Sequence, residues 1–177
     1  MKTRAFSLIE LIVVIAIIGI LAVLVTPHYQ KFLDRARSVT CMNNLRQIGV
    51  AVLNYVGENN SKYPIIEPNE ADPLYEPEAE ATPLLEALEP YGLSAALLKC
   101  PSDGKYFAER GMSYQWRPIV DDENSNAPKI YGGRRGAGVR IIKPGRVTIC
   151  TDFTGVHFGR MNRLYADGHV KAQLVAP

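Results

Sequence analysis

The side chains that could do chemistry in this sequence fall into four groups, and the first is a single carboxylate. Between Phe6 and Val25, 17 of 20 residues are hydrophobic, interrupted by Ser7, Glu10 and Gly19. An ionised carboxylate in a hydrocarbon layer costs several kcal/mol unless it is paired or protonated. Glu10 therefore calls for a cation, and a primary amine at the head of the apolar run would supply one if the chain were cut just before Phe6. The competing reading places Glu10 at a helix N-terminus in the membrane interface, where the helix dipole favours an acid.

The second group, Asp152, His157, Asp167 and His169, offers carboxylate and imidazole, the usual ligand types for metals. Against it, Asp167-Gly168 has the composition of a turn, His157 can hydrogen-bond a neighbouring loop, and calcium prefers six to eight oxygens over imidazole. We expect no resident metal or cofactor; calcium is the ion considered. The third group is Cys41, Cys100 and Cys150, whose spacing matches no zinc motif. The fourth, Ile130-Tyr-Gly-Gly-Arg-Arg-Gly-Ala-Gly-Val-Arg140, lacks the Gly-Lys-Ser/Thr ending of a phosphate loop and reads as a flexible basic loop. Ser102, Cys100 and His157 sit in no nucleophile motif, so no catalytic residue and no enzymatic activity are expected.

The elements that would carry these groups follow from periodicity. Phe6 to Val25 makes a helix of roughly 30 Å, enough to cross a hydrocarbon core. Lys2 and Arg4 precede it, which keeps the N-terminus cytoplasmic and puts the rest outside. The exit, Val25-Thr26-Pro27-His28, is a poor signal-peptidase site, so the segment is expected to be retained. Apolar residues then recur at Phe32, Ala36, Val39, Met42, Leu45, Ile48, Val52 and Tyr55, one stripe of an amphipathic helix that should pack on a sheet. Pro27 is expected to kink this long helix rather than end it, because the pattern resumes at once. Gly57 should end it.

Residues 58–81 are acidic and proline-bearing and read as a surface loop. Thr82-Pro83-Leu84 reads as a helix start capped by Thr82, running to about Leu88, with another turn at Ser94 to Leu98. Strands are expected at Ser113 to Pro118 and Arg146 to Phe153. The firmest β signal is Asn162–Ala166, then Asp167-Gly168, then His169–Leu174, a hairpin with a type I′ turn. A helix followed by an antiparallel sheet is the α+β class. Outside the apolar block and the first five residues, roughly 42% of residues are hydrophobic, the composition of an ordinary soluble domain.

Charge excludes one function class and suggests another. The total is +2, from 20 basic and 18 acidic residues, which gives no general case for nucleic acid. Nine acids lie within residues 58–89 against Lys62, and ten bases against five acids within 99–146. Opposed patches of this kind favour head-to-tail packing of identical subunits; two solvated faces are the alternative.

Ala5-Phe6-Ser7-Leu8-Ile9-Glu10 and the apolar run resemble the cleavage and methylation motif of type IV prepilins, shared by type IV pilins and the pseudopilins of type II secretion. The resemblance implies a cut between Ala5 and Phe6 by a prepilin peptidase and methylation of the new Phe6 amine. It also implies pairing of Glu10 with that amine on a neighbouring subunit, and a helix kink at Pro27. The residue before the cut is usually Gly; Ala5 stands there here and implies slower processing. Loss of Lys2 and Arg4 with the leader leaves 18 basic against 18 acidic side chains, a balance that suits dense stacking.

A second resemblance lies further on. His157, nine residues, then Asp167-Gly168 is similar to the His-x9-Asp-Gly signature of a prepilin-like group with major-pseudopilin-type folds. Cys41-Met-Asn-Asn-Leu-Arg-Gln-Ile-Gly49, Asn54-Tyr55 and Cys100-Pro-Ser-Asp103 resemble that group's recurring segments. Outside the cytoplasm a disulfide is permitted. Cys41 with Cys100, tying the long helix to the segment before the sheet and leaving Cys150 a buried thiol, is one reading; three reduced thiols is the other.

The expected organisation is a leader at 1–5, a transmembrane and assembly helix at 6–26, the amphipathic half of the same helix at 27–57, and an extracytoplasmic α+β head at 58–177. The expected function is that of a pseudopilin, a structural subunit of a type II secretion-like or type IV pilus-like filament. It would cross the inner membrane once, with the head periplasmic or extracellular, and pass into a filament on assembly. The implied partners are prepilin peptidase, other pilin-like subunits and the assembly platform. An adhesive or DNA-uptake type IV pilin is the first alternative. A membrane-anchored metal-binding module or enzyme built on His157 and Asp167 is the second.

Overall fold

The computed structural model describes residues 7–67, 81–117, 125, 129–131, 139–141, 143–153, 156–157 and 159–175. The chain divides into two compact units, Met1–Ala36 and Arg37–Pro177. The first helix, α1 (Leu8–Glu58), runs through both. It takes in Gly57 and stops one residue beyond it, where Asn60 and Ser61 adopt positive φ of 53° and 61°. It is bent between its stretches Leu8–Leu24 and Tyr29–Glu58, across an interval that contains Pro27. In the first unit, Leu8–Leu24 buries nothing: Leu8 is 75% exposed and Leu24 63%. Among the described residues no single straight helix is long and apolar enough to cross a membrane, whereas this bent pair is, by length and composition.

In the second unit the helix is half buried, and the expected stripe packs from Leu45 through Val52, with Tyr55 against the same core. Val39 is exposed, while Ser38, Cys41, Leu45, Ile48 and Val52 are buried. Those positions also step by three and four, so the period is right and the face begins later, at Ser38.

Beyond α1 the described residues include two short α-helices, α2 (Leu84–Leu88) and α3 (Tyr106–Arg110), and six strands. Strands β1 (Tyr114–Trp116), β4 (Thr148–Asp152), β5 (Arg160–Tyr165) and β6 (Val170–Leu174) form one antiparallel sheet in the order β1-β4-β5-β6. The fold is thus α+β and pilin-like: a long N-terminal helix followed by a small antiparallel sheet. Leu45, Ile48 and Val52 share a core with Leu88, Tyr114, Trp116, Ile149 and Leu164. Strands β2 (Lys129–Tyr131) and β3 (Val139–Ile141) pair with each other, so the arginine- and glycine-rich stretch expected as a loop has a paired stem; 132–138 lies outside the described residues. So do 68–80, most of the expected acidic loop.

Two local expectations need correction. Thr82 makes no cap; its N–H donates to Ile65 and its carbonyl accepts from Glu67, forming a parallel bridge, and Pro83 takes the cap position of α2. The hairpin between β5 and β6 is present, but its turn is not type I′, which needs positive φ at both central residues. Here Gly168 N–H donates to Tyr165 O, Tyr165 N–H donates to His169 O, and Gly168 alone is left-handed, at φ 86°. That is the three-residue loop closed by a left-handed glycine. It spares Asp167 a left-handed backbone and lets its carboxylate accept the His169 N–H at 3.2 Å.

A cap not foreseen from sequence starts α3. Asp103 accepts the N–H groups of Lys105, Tyr106 and Phe107 at 2.9, 2.8 and 2.9 Å. Burial opposes the charge, but those bonds and one from Ser113 outweigh it and hold the carboxyl below its ordinary value. A depressed folded value contributes stability above an ordinary Asp pKa of about 4, and that contribution fades as the folded carboxyl protonates. Asp103→Ala should therefore cost about 1 kcal/mol in a denaturant titration at neutral pH and close to nothing near pH 2.

Gly168 is fixed by its left-handed backbone. Besides its φ, a Cβ there would lie 2.8 Å from Leu53 Cδ1 on α1. Gly168→Ala should lower stability by about 1–3 kcal/mol. Gly104→Ala, where a Cβ meets nothing within 4 Å, should change it by less than about 0.5 kcal/mol in the same titration.

Candidate functional site

The N-terminal site is local. Ser7 O accepts the N–H groups of Glu10 and Leu11, and the Glu10 carboxylate reaches back to accept the Ser7 N–H at 3.1 Å. The Glu half of a capping box is thus in place, and the signal for it, Ser-x-x-Glu before an apolar run, was legible in Ser7-Leu8-Ile9-Glu10. Glu10 is exposed, in the first turn of α1. Ala5 and Phe6 lie outside the described residues.

The second site is buried in the second unit, where α1, the segment before α3 and two strands meet. Cys41 on α1 is bonded to Cys100, 59 residues on, and Cys150 on β4 is a free buried thiol that burial and Asp152 hold protonated. Closing a loop of that length removes about 4 kcal/mol of unfolded-state entropy in the chain-entropy model.

Beside the bridge stands His157, buried in the turn that enters β5; its carbonyl accepts the Arg160 N–H. Its Nε2 is 3.5 Å from Cys100 Sγ and 3.5 Å from Asp152 Oδ2. Asp152 in turn accepts the Asn162 backbone N–H on Oδ1 and the Asn162 side-chain amide on Oδ2, both at 2.8 Å. The same amide reaches Ser38 Oγ on α1 at 3.2 Å. Asn162 was not foreseen as a site residue, although a polar residue at an inward position of β5, in register with Leu164, was a readable signal. Ser38, likewise missed, opens the buried helical face.

The residues expected as one ligand set separate into two pairs. Asp152 and His157 are together and buried, whereas Asp167 and His169 contact one another, exposed, at the hairpin turn. The His169 ring stacks on Tyr165, with centroids 4.2 Å apart. Strand β5 lies between the pairs, about 17 Å long at the usual rise. The spacing of His157 to Asp167-Gly168 therefore marks the two ends of β5. At one end His157 meets the bridge; at the other Gly168 meets Leu53, and a Cβ on Gly49 would lie 2.7 Å from Leu164 Cδ1 and 3.4 Å from Gly168 O. Tyr63 fixes the same turn by donating its hydroxyl to Ala166 O at 2.8 Å, and burial together with the Asp167 charge pushes that phenol up to about 12.

As chemistry, the buried group is not a proton relay. A relay needs the acid and the nucleophile on opposite ring nitrogens of the His; here both face Nε2.

Residues 1–26 match the family model described as the prokaryotic N-terminal methylation motif. The chain carries a prokaryotic N-terminal methylation motif and is type IV pilin-like. Residues 30–91 match a second model, described as a protein of unknown function, DUF1559. Over the N-terminal region the motif-bearing chain is similar to the type IV major pilin protein PilA of Myxococcus xanthus, 37% identical over 59 residues, which is 33% of this chain and 27% of that protein. It is also similar to a type IV major fimbrial protein, FimA, of Dichelobacter nodosus, 41% identical over 49 residues, 28% of this chain and 31% of that protein. The chain thus spans under a third of the curated relatives it matches. No solved structure matches it.

The buried carboxyl gives a pH test. Burial pushes Asp152 up to about 7, against the pull of the Asn162 hydrogen bonds and the Arg163 charge. An unfolded Asp releases its proton near pH 4, so between about 4 and 7 the folded chain holds a proton the unfolded chain has lost, and stability from this group falls as pH rises. Asp152→Asn imitates the neutral acid and should remove that slope. The urea midpoint of the wild type, measured relative to the variant, should fall between about pH 5 and about pH 7 and level off above; a constant difference would show an ionised carboxylate throughout.

Proposed function

We propose that this chain is a structural subunit of a pilin-like filament, processed between Ala5 and Phe6, methylated at the Phe6 amine and assembled through its N-terminal helix. The observation that carries the reading is the pairing of the methylation motif with Leu8–Leu24, an apolar helix whose described side chains are all exposed. Such a surface needs cover from lipid or from other apolar helices. In the membrane it anchors the unprocessed chain, with the second unit outside. In a filament the same side chains pack against neighbouring subunits. Glu10, capping its own helix here, would exchange the Ser7 N–H for the charged Phe6 amine of a neighbour, a stronger partner in an apolar setting. Pro27 serves as the helix kink.

The partners on this reading are a prepilin peptidase, other pilin-like subunits and an inner-membrane assembly platform. The role is structural, and no step of it needs a cofactor. Within the class we adopt the secretion pseudopilin, on the likeness of His157 and Asp167-Gly168 to the signature of a pseudopilin-type group. The second reading, a surface pilus, is favoured by the relatives named as a major pilin and a major fimbrial protein.

Intact mass of the chain recovered from its own cells tests the processing, with loss of Met1–Ala5 and gain of one methyl group expected. Glu10→Val should leave the fold and the cleavage intact and reduce recovery in sheared filaments at least about a hundredfold, the scale of a buried ion pair deprived of one partner. Full recovery of that variant would overturn the assembly role. Filaments confined to the periplasm, with a secretion defect on deletion, separate the pseudopilin from the surface pilus.

A further inference from the structure

Among the described residues, the strand positions on the sheet face turned away from α1 carry two cations and no acid. Side chains alternate along a strand, and Asn162 and Leu164 face α1, so Arg163 between them faces the other way. Lys171 stands directly opposite Arg163 in the register of β5 with β6, and Thr151 stands opposite it on β4. Like charges directly opposite one another on neighbouring strands are destabilising. Lys171 is exposed and Arg163 half-buried, while Arg163 Nε and Thr151 Oγ1 are buried without a hydrogen-bond partner. The carboxylate whose charge reaches Arg163 is that of Asp152, which lies on the α1 face and accepts from Asn162. The row is short of an acceptor.

A complementary surface lies in the same unit. The end of α1 and the turn that follows α2 border an open cleft of about 440 Å³, lined by Leu53, Asn54, Gly57, Glu58, Pro90 and Tyr91. Glu58 is exposed, and so is Glu89, next in sequence to Pro90. The Tyr91 wall is held by the Asn59 amide, which donates to its hydroxyl at 3.1 Å, and by the edge contact with Tyr55. A Cβ on Gly57 would meet nothing within 4 Å. Apolar walls beside a carboxylate suit a long cationic side chain, whose stem is apolar and whose head is charged.

We propose that this cleft on one copy receives the Arg163–Lys171 row from the sheet of the next copy, with the Glu58 carboxylate pairing with the Lys171 ammonium. The inference rests on the filament reading, because it names the surfaces through which the second units of neighbouring subunits meet. The two surfaces differ, so the contact is heterologous and runs head to tail, the kind that repeats into an open filament. Repulsion between Arg163 and Lys171 is a cost in the isolated chain and is relieved when Glu58 and Glu89 supply counter-charges. Both cations lie outside 99–146, the basic stretch that composition alone singles out.

The test uses filaments sheared from cells that express the full chain. A carbodiimide joins a lysine to a carboxylate where the two already touch, forming an amide whose lost water passes to the reagent. Treated filaments should give a ladder of multimers under denaturing conditions, with a peptide linking Lys171 to Glu58. Lys171→Glu and Glu58→Lys should each lower filament recovery by more than about tenfold, the scale of a charged interface pair deprived of one partner. Combining the two should restore it. Gly57→Leu, which fills the cleft and changes no charge, should lower recovery likewise. Lys171→Glu should also raise the urea midpoint of the dispersed chain, because it turns a cross-strand repulsion into an attraction; a damaged fold would lower it. Filaments without the Lys171–Glu58 link, or Lys171→Glu and Gly57→Leu assembling as the wild type does, would overturn the contact while leaving the filament reading, which Glu10→Val tests, in place. A wild-type chain that forms no filaments would overturn both.

Discussion

A helix can lie only as close to a strand as the side chains between them permit, and the approach of α1 to β5 sets the rest of the second unit. At Gly49 there is no room for a single carbon: a Cβ would run into Leu164 on β5 and crowd the carbonyl of Gly168. Gly168 in turn faces Leu53 from the helix side. Once this contact is made, Leu45, Ile48 and Val52 meet Leu164 and Ile149 in one core, and the remaining strands follow by antiparallel pairing. The contact is apolar and short-range, so it fixes distance well and direction poorly.

Direction comes from the polar groups at the other end of β5. Ser38, Asn162, Asp152 and His157 form a buried chain that reaches the Cys41–Cys100 bridge. A buried polar group without a partner costs more than its hydrogen bond gains, so a helix slipped by one turn would strand several of these groups. The bridge adds a covalent limit at the same junction. Apolar packing at one end and polar matching at the other give the helix one register on the sheet.

The first unit follows a different rule. Leu8–Leu24 is stable as a helix because its backbone bonds are internal and its start is capped by Glu10, but its side chains stand exposed. The hydrophobic effect that closes the second unit is therefore unspent here and available to lipid or to other copies. The acidic group sits at the very end of this helix, where it can change partner without disturbing any core.

Much of this was written locally in the sequence. The apolar run, the motif around Phe6 and Glu10, the three-and-four spacing along α1 and the strands on either side of Asp167-Gly168 each depend on neighbours within a few residues, so they were legible with nothing else in hand. The helical face that packs was legible from Leu45 to Val52 and misplaced only at its start, where Ser38 and Cys41 are buried and Val39 is exposed, because amphipathic spacing gives a period but not the point at which burial begins. The turn was mistyped because Asp-Gly suits two loop lengths, and the choice rested on the Tyr165–His169 pairing and on Leu53 from a distant helix. The bridge partner, the separation of His157 and Asp152 from Asp167 and His169, and the role of Asn162 were decided by tertiary structure alone. Each joins residues tens of positions apart or on opposite ends of a strand, and no local propensity carries that information.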